Sequence, residues 1–436
     1  MSVNLPWFSK NAAALGAIAL SVGVLAACSS NSSSSTSDSA SSSSTASATT
    51  GTISIGASLS TSGDFAPDGQ AYEQGYKLWA SDVNAQGGID GRKVVLTILN
   101  DASSPNQVVT NYQTLINTDH VALTFGPFSS LLTTPASAVA AHNGYAFIEG
   151  AGGAPSVFQS PANQADHNVF DVSLPVADSL MPFVDYIQSL GSAADKKLTA
   201  AYPMANDPFA TSPVQVVQQR LQALGVKTVY TNIFPEEPAS YKPAADQVAL
   251  KKPDIVVLGS TDPGTVASFM SAFEQDHFSP KMFIAAAGPD QGSDFLKAIG
   301  KPYADADGIM VGDGWYSGFV NASSEKMVSE YMALYHVPVS GVQADIAEAY
   351  SVGQVAEAAI KATGGTDNQK IISYLHSGVT IQTVQGSVKF DSLGENSGVP
   401  AFIMQWQDNA TEFNQVLPAT AAGSKPFIAT KPNWAS

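Results

Sequence analysis

From Thr52 onward the apolar and polar positions alternate between two periods. Short runs rich in β-branched and apolar residues fall at 52–59, 93–100, 121–126, 145–149, 198–202, 254–259, 281–286 and 308–312. Between them the apolar spacing changes to three and four. Tyr76, Trp79, Ala80 and Val83 form one such stripe; Ile346, Ala349, Tyr350, Gly353, Ala356 and Ile360 form another. The first pattern predicts strands and the second predicts helices. Turn residues punctuate the change, as in Gly87-Gly88-Ile89-Asp90-Gly91 before the second strand. Strands alternating with helices argue for parallel sheets covered on both faces. Two such series follow one another, one before about residue 172 and one after it. The end departs from the pattern: 388–391, 402–407 and 412–417 read as short strands with no helices between. The predicted fold class is therefore α/β, with two doubly wound parallel-sheet lobes and an irregular tail.

In open α/β sheets, ligands sit beyond the carboxyl ends of the strands. Here three consecutive strands end in loops of small and polar residues. These are Ser60-Thr61-Ser62-Gly63, Gly126-Pro127-Phe128-Ser129-Ser130 and Gly150-Ala151-Gly152-Gly153-Ala154. Together they predict one shared polar cleft.

The first fifty residues have a different character. Lys10 is the only charge before an apolar run at 12–27, interrupted by Gly16, Ser21 and Gly23. A spanning helix needs about 20 apolar residues, so this run fits the core of an export signal better. It ends in Leu25-Ala26-Ala27-Cys28, followed by Ser29 and Ser30, which looks like a bacterial lipobox. Cys28 is the only cysteine, so no intramolecular disulfide can form and lipidation is the expected use of its thiol. Two acyl chains suffice for stable anchoring where one is marginal. Residues 29–50 are almost entirely Ser, Thr and Ala, with Asp38 the only charge. Such a segment cannot bury enough apolar surface to offset its ordering entropy, and reads as a flexible tether. The expected organisation is a signal peptide at 1–27, a tether at 28–50 and two lobes in 51–436.

Charge removes several function classes. With 20 Lys and Arg against 37 Asp and Glu, the formal charge is −17. An acidic surface argues against nucleic acid and anionic headgroups as partners. Arg92 and Arg220 are the only arginines, so the bidentate clamp for phosphate or carboxylate is scarcely available. His120, His142, His167, His277, His336 and His376 are scattered without metal-ligand spacing. No G-x-S-x-G elbow occurs, and the glycine runs lack the Lys-Ser/Thr of a P-loop. Asp305-Ala306-Asp307-Gly308 is too short for a calcium loop and lacks its distal Glu. No enzymatic activity, metal or cofactor is expected.

At this point the chain resembles the type I periplasmic binding proteins, in their branched-chain amino acid-binding (leucine/isoleucine/valine-binding) group. The residues that carry the likeness lie in order along the chain. They are Ile53-Ser54-Ile55-Gly56-Ala57-Ser58-Leu59-Ser60-Thr61-Ser62-Gly63; Asn84-Ala85-Gln86-Gly87-Gly88-Ile89-Asp90-Gly91-Arg92; Asn100-Asp101-Ala102; Gly126-Pro127-Phe128-Ser129-Ser130; and Gly386-Ser387-Val388-Lys389-Phe390-Asp391. The resemblance implies two lobes joined by three crossings, near 172–175, 313–318 and 385–392, that close over a ligand. One lobe would comprise 51–172 plus 316–388, and the other 173–315 plus 389–436. It also implies an extracytoplasmic, lipid-anchored, monomeric solute-binding protein that serves the permease of an ABC importer. A sensing role for the same module stays open beside transport.

The same resemblance implies where a solute would bind. Ser129 and Ser130 match the loop that gives a hydroxyl and backbone donors to a ligand carboxylate. Ala151, Gly152 and Gly153 stand where the family has a second donor turn with a hydroxyl; here only backbone N–H groups remain. Asp290 matches the carboxylate used against a ligand ammonium. Asp262 and Phe209 stand at positions of aromatic contacts, Asp68 lies in the first loop near the pocket mouth, and Trp315 adjoins the second crossing. Oriented N–H groups at helix starts can bind an anion without arginine. Two acids without a nearby arginine favour a solute with positive or strongly donating groups, because a buried carboxylate is costly unless paired. Amino acids, amides and urea-like molecules fit this; a purely anionic aromatic acid fits less well.

Overall fold

Five parallel strands make the first sheet: β1 (Thr52–Leu59), β2 (Lys93–Asn100), β3 (Leu123–Phe125), β4 (Phe147–Glu149) and β5 (Val169–Asp171), in the order β2-β1-β3-β4-β5. The computed structural model describes residues 51–192, 197–236, 238–318 and 321–434. Cys28 and the segments expected to be an export signal and a tether lie outside the described residues. Helices α1 (Ala66–Ala85), α2 (Pro105–Asn117), α3 (Ser130–His142), α4 (Pro155–Phe158) and α5 (Pro161–Asp166) connect the five strands.

The second sheet is built in the same manner. It takes α6 (Met181–Ser189), β6 (Thr199–Ala205), α7 (Pro208–Ala223), β7 (Lys227–Phe234), α8 (Lys242–Lys251), β8 (Ile255–Leu258), α9 (Pro263–Gln275), β9 (Met282–Ala285), α10 (Gly292–Ile299) and β10 (Ile309–Asp313). The chain then forms α11 (Ala322–Tyr335), α12 (Ala344–Thr363) and α13 (Asn368–Leu375), and a hairpin of β11 (Ile381–Thr383) with β12 (Gly386–Val388). Finally β13 (Phe402–Gln407) and β14 (Glu412–Leu417) add antiparallel to the edge at β10. The order is β14-β13-β10-β9-β8-β6-β7.

Period-two burial explains why the second sheet is covered on both sides. Ala201, Val256, Leu258, Phe283 and Ala285 enter one core, whereas Ala200, Tyr202, Ile255, Val257, Met282 and Ile284 enter the opposite one. In the first sheet the two apolar stripes read from the sequence meet each other. Trp79 of α1 lies against Gly353 of α12, where an added Cβ would stand 2.1 Å from the indole. Gly75 likewise admits Ala349, whose Cβ would lie 2.6 Å from a side chain placed there.

Three passages carry the chain between cores. Val172 packs in the first and Leu180 in the second. Met310 belongs to the second and Trp315 to the first. Phe390 stacks edge-on against Phe170 in the first, at 5.2 Å, while Phe402 sits in β13 of the second sheet. The last passage thus follows Phe390 and comes later than a boundary at 388/389.

Three strands escape the sequence pattern: β5, β7 and the three-residue β11. β5 is only three residues long, and β7 is an edge strand whose Lys227, Thr231 and Ile233 face solvent. The run at 388–391 is not a strand; the pairing lies earlier, at Gly386–Val388 against Ile381–Thr383.

Candidate functional site

The carboxyl ends of both sheets open on one small cavity, of about 70 Å³. Its polar lining is almost wholly acidic. The first lobe's elements supply Asp68 from the opening turn of α1, Asp171 from the end of β5, and Asp345 and Glu348 from the opening of α12. The second sheet's strand ends supply Asp290 after β9 and Asp313 at the end of β10. Phe128, Phe209, Leu174 and Val176 form apolar wall, and Ser173 and Ser179 are also present. Among the described residues, no lysine, arginine or histidine lines the cavity.

Local geometry places each acid. Gly69 lets the first turn of α1 lie on the end of β1, since a Cβ there would stand 2.1 Å from the Ser60 carbonyl oxygen. That contact sets Asp68 at the cavity rather than in a loop. Its Oδ1 accepts the side-chain amide of Gln291, linking α1 to the segment before α10, and its Oδ2 is buried without a partner. Asp171 Oδ1 accepts the Ser173 N–H at 2.8 Å, while Oδ2 is buried and unpartnered. Asp290 accepts the Gly288 N–H at 2.7 Å, and Asp313 accepts the Trp315 N–H at 3.0 Å. The Tyr72 hydroxyl donates to Glu348 at 2.5 Å.

Burial raises every one of these carboxyls, because the charged form loses its water. Asp171 is pushed up to about 7 and Asp290 to about 6. Asp68, Asp313, Asp345 and Glu348 stand well above the usual carboxylate range, through burial first and then through the charges of one another. Behind the wall, buried Glu149 is raised as well, by burial and by Asp171 across the β4–β5 pair.

Glu149 also changes the meaning of the glycine turn after β4. Its Oε2 accepts the N–H of Ala151 at 2.8 Å and of Gly152 at 2.5 Å. Two of the three amides of the turn that the resemblance assigns to a ligand carboxylate are therefore already engaged by the protein's own carboxylate.

Of the residues expected from sequence, Asp68, Ala151, Gly153, Phe209 and Asp290 line the cavity. Gly152, Ser129, Ser130, Asp262 and Trp315 do not. Ser129 begins α3 with a buried, unpartnered hydroxyl, and the Ser130 hydroxyl accepts the Ala154 N–H at 3.2 Å. Asp262 caps α9, accepting the Thr265 N–H at 2.9 Å and its hydroxyl at 2.6 Å. Trp315 is fully buried in the first core. The sequence reading missed Asp171, Asp313, Asp345 and Glu348. Asp171 and Asp313 end strands, where the rule for ligand position would have found them. Asp345 and Glu348 begin a helix whose other inward positions are apolar apart from Ser351. Among the described residues, no three His, Cys, Asp or Glu side chains are disposed to hold a metal ion.

Comparison with known proteins gives one consistent result. A family model described as periplasmic binding protein matches residues 52–411. A Leu/Ile/Val-binding protein homologue of Brucella abortus is 25% identical over 389 residues, covering 86% of this chain and 93% of its own. An amino acid binding protein of Pseudomonas aeruginosa is 24% identical, covering 82% and 90%. Among solved structures, a leucine-binding protein from Thermotoga maritima superposes with a TM-score of 0.72 at 16% identity, over 85% of this chain and all of that one. A solute-binding protein of an ABC transporter from R. palustris, in complex with benzoate, gives 0.71 at 19% identity, over 87% and 100%. These structures share the fold: two α/β lobes with three crossings.

Proposed function

Because the chain belongs to the periplasmic binding protein family, in its Leu/Ile/Val-binding group, we propose that it is the solute-capturing lipoprotein of an ABC importer. Members of this family are extracytoplasmic solute binders and not enzymes. In the proposed cycle a small polar solute enters between a lobe built on the first sheet and a lobe built on the second. Contacts with both lobes favour the shut state, and the closed form is presented to the permease. Cys28 would hold the protein at the membrane through its lipid, with 29–50 as the tether.

One observation supports this reading above the others: a single small cavity receives side chains from the strand ends of both sheets. A pocket lined from one lobe would give a ligand no differential hold on the closed form, and a ligand shifts an equilibrium only by its differential affinity. The test is a thermal-shift screen of amines, amino acids, amides and ureas, followed by solution scattering with any hit. A solute at 100 times its dissociation constant adds about 2.7 kcal/mol of stability, and the radius of gyration should fall on binding. Stabilisation without any change in radius would refute closure. Uptake of the labelled hit should be lost in cells that lack the gene; undiminished uptake would refute the importer role.

A further inference from the structure

The corner of the cavity that the resemblance assigns to a solute carboxylate holds acceptors in place of donors. Glu149 Oε2 takes the N–H groups of Ala151 and Gly152. Beside the third residue of that turn stands a second carboxylate: Asp171 Oδ2 lies 2.7 Å from where a Cβ on Gly153 would be. Glycine at 153 thus leaves this oxygen uncovered at the wall. Ser129 and Ser130, the other donors expected here, do not line the cavity, and the Ser130 hydroxyl accepts the Ala154 N–H. A carboxylate arriving at the turn would meet its own charge.

The acceptors at this corner lack donors. Asp171 is 1% exposed, and its Oδ2 has no hydrogen-bond partner among the described residues. The Ser173 hydroxyl is also buried and unpartnered, and lies 3.3 Å from where a Cβ on Gly150 would stand. The Tyr72 hydroxyl is 3.2 Å from the same point and donates to Glu348. Asp68, from α1, likewise keeps Oδ2 buried without a donor. Buried polar atoms are nearly always satisfied, so unpartnered acceptors in a cavity wall mark where donors arrive. The six acids act on one another as one group. Asp68 feels Asp345 and Asp290, Asp345 feels Asp290 and Asp313, and Glu348 feels Asp345, Asp313 and Asp171. A buried carboxylate is costly unless something pairs with it, and no basic side chain of the lining does so. Among the described residues no three acids are grouped to hold a metal ion, which leaves an organic cation.

On the premise that this cavity is the solute site, we propose that the solute is an organic amine or guanidine without a carboxylate, and that Asp171 receives its charged N–H group. The group sits at the Gly150–Gly153 turn, where Asp171 Oδ2 and the Ser173 hydroxyl accept from it and Glu348 adds its charge. One centre is enough, since an ammonium carries three N–H donors and a guanidinium five.

Calorimetric titration of the purified protein at pH 7.5 tests this with leucine, 3-methylbutylamine, 3-methylbutylguanidine, 4-methylpentanoate, 4-methylpentanamide and calcium chloride. The organic probes share one branched carbon chain and differ in the polar group. The amine or the guanidine should bind at least about 10-fold more tightly than the neutral amide, because hydrogen bonds to charged groups are the stronger ones. Leucine, 4-methylpentanoate and calcium should give no heat. Asp171→Asn should weaken the cation at least about 30-fold, the loss on leaving a buried charge without its partner. It should change the amide less than about threefold and unfold as cooperatively as the wild type. Glu348→Gln, in α12, should weaken the cation selectively as well, so that a folding defect in one variant does not decide the outcome. Leucine or 4-methylpentanoate binding more tightly than the amine, with that affinity lost in Asp171→Asn, would overturn the cation and leave the solute-capture reading intact. Calcium binding more tightly than either organic cation would also overturn it. A cation bound equally by the wild type and both variants would overturn the placement at Asp171. Silence from both organic cations would overturn the assignment, and a carboxylate hit in the wider thermal-shift screen would then still uphold solute capture.

Discussion

Neutralising Asp171 should expose the repulsion that the cavity holds in check. Asp171→Asn keeps the acceptor for the Ser173 N–H and removes only the charge. In the closed protein the carboxyl is raised to about 7 by burial, against about 3.9 for an exposed aspartate. The folded protein therefore binds a proton that the unfolded chain has already released. Stability from this group is fully present below about pH 4, declines as pH rises toward 7, and is level above that. Most of the decline, about 3 kcal/mol of a total near 4, falls between pH 5 and pH 8 at ~1.36 kcal/mol per pH unit. Asp171 is fully buried, so solvent screening does not reduce the figure. With an unfolding entropy of ~2.1 cal/mol/K per residue over a chain of this length, it corresponds to roughly 3–4 °C in Tm. Scanning calorimetry without solute, at constant ionic strength, should show the wild type melting lower at pH 8 than at pH 5. The drop should be smaller by roughly 3–4 °C in Asp171→Asn. Lobe parting also relieves the repulsion, so this is the ceiling for a protein that stays shut, and scattering at pH 8 should then show the variant the more compact. A wild type equally stable at both pH values, with no difference in radius, would refute the account of the cavity.

Other outcomes follow from single contacts. Gly353→Ala should cost about 1–3 kcal/mol in urea unfolding, because its Cβ enters the Trp79 ring between α1 and α12. Asp207→Ala should cost about 1 kcal/mol, since Asp207 caps α7 through the Phe209 and Ala210 N–H groups at 2.7 and 3.1 Å; it should also loosen Phe209 and weaken solute binding, measurable in one titration. Cys28→Ser should abolish incorporation of a labelled fatty acid and release the protein from the membrane fraction.

The fold was largely legible because its signal is repeated. Twelve of the elements announce themselves by an apolar run or stripe, and a helix such as α12 shows its buried face at every third and fourth position. What failed to show was short or at an edge. β5 has three residues, too few for a period to register, and β7 fully buries only one of its eight. The site was less legible for a different reason. Loop motifs identify which backbone turns approach the cleft, and Asp68, Ala151, Gly153, Phe209 and Asp290 stand at the wall of the cavity. They do not say which donors are already spent. Only the structure shows Glu149 reaching forward two and three residues to take the Ala151 and Gly152 amides. A local sequence reading sees a glutamate that ends an apolar strand and a glycine turn that invites an anion; in space the first answers the second. Asp345 and Glu348 were hidden likewise, since Asp345 looks like an ordinary first-turn acid favoured by the helix dipole. Its place at the cavity is visible only when Asp290 and Asp313, more than thirty residues away in the chain, are seen to line the same wall. The acids that line the cavity are therefore gathered from five separated elements, each unremarkable where it stands in the chain and costly to bury where the fold puts it.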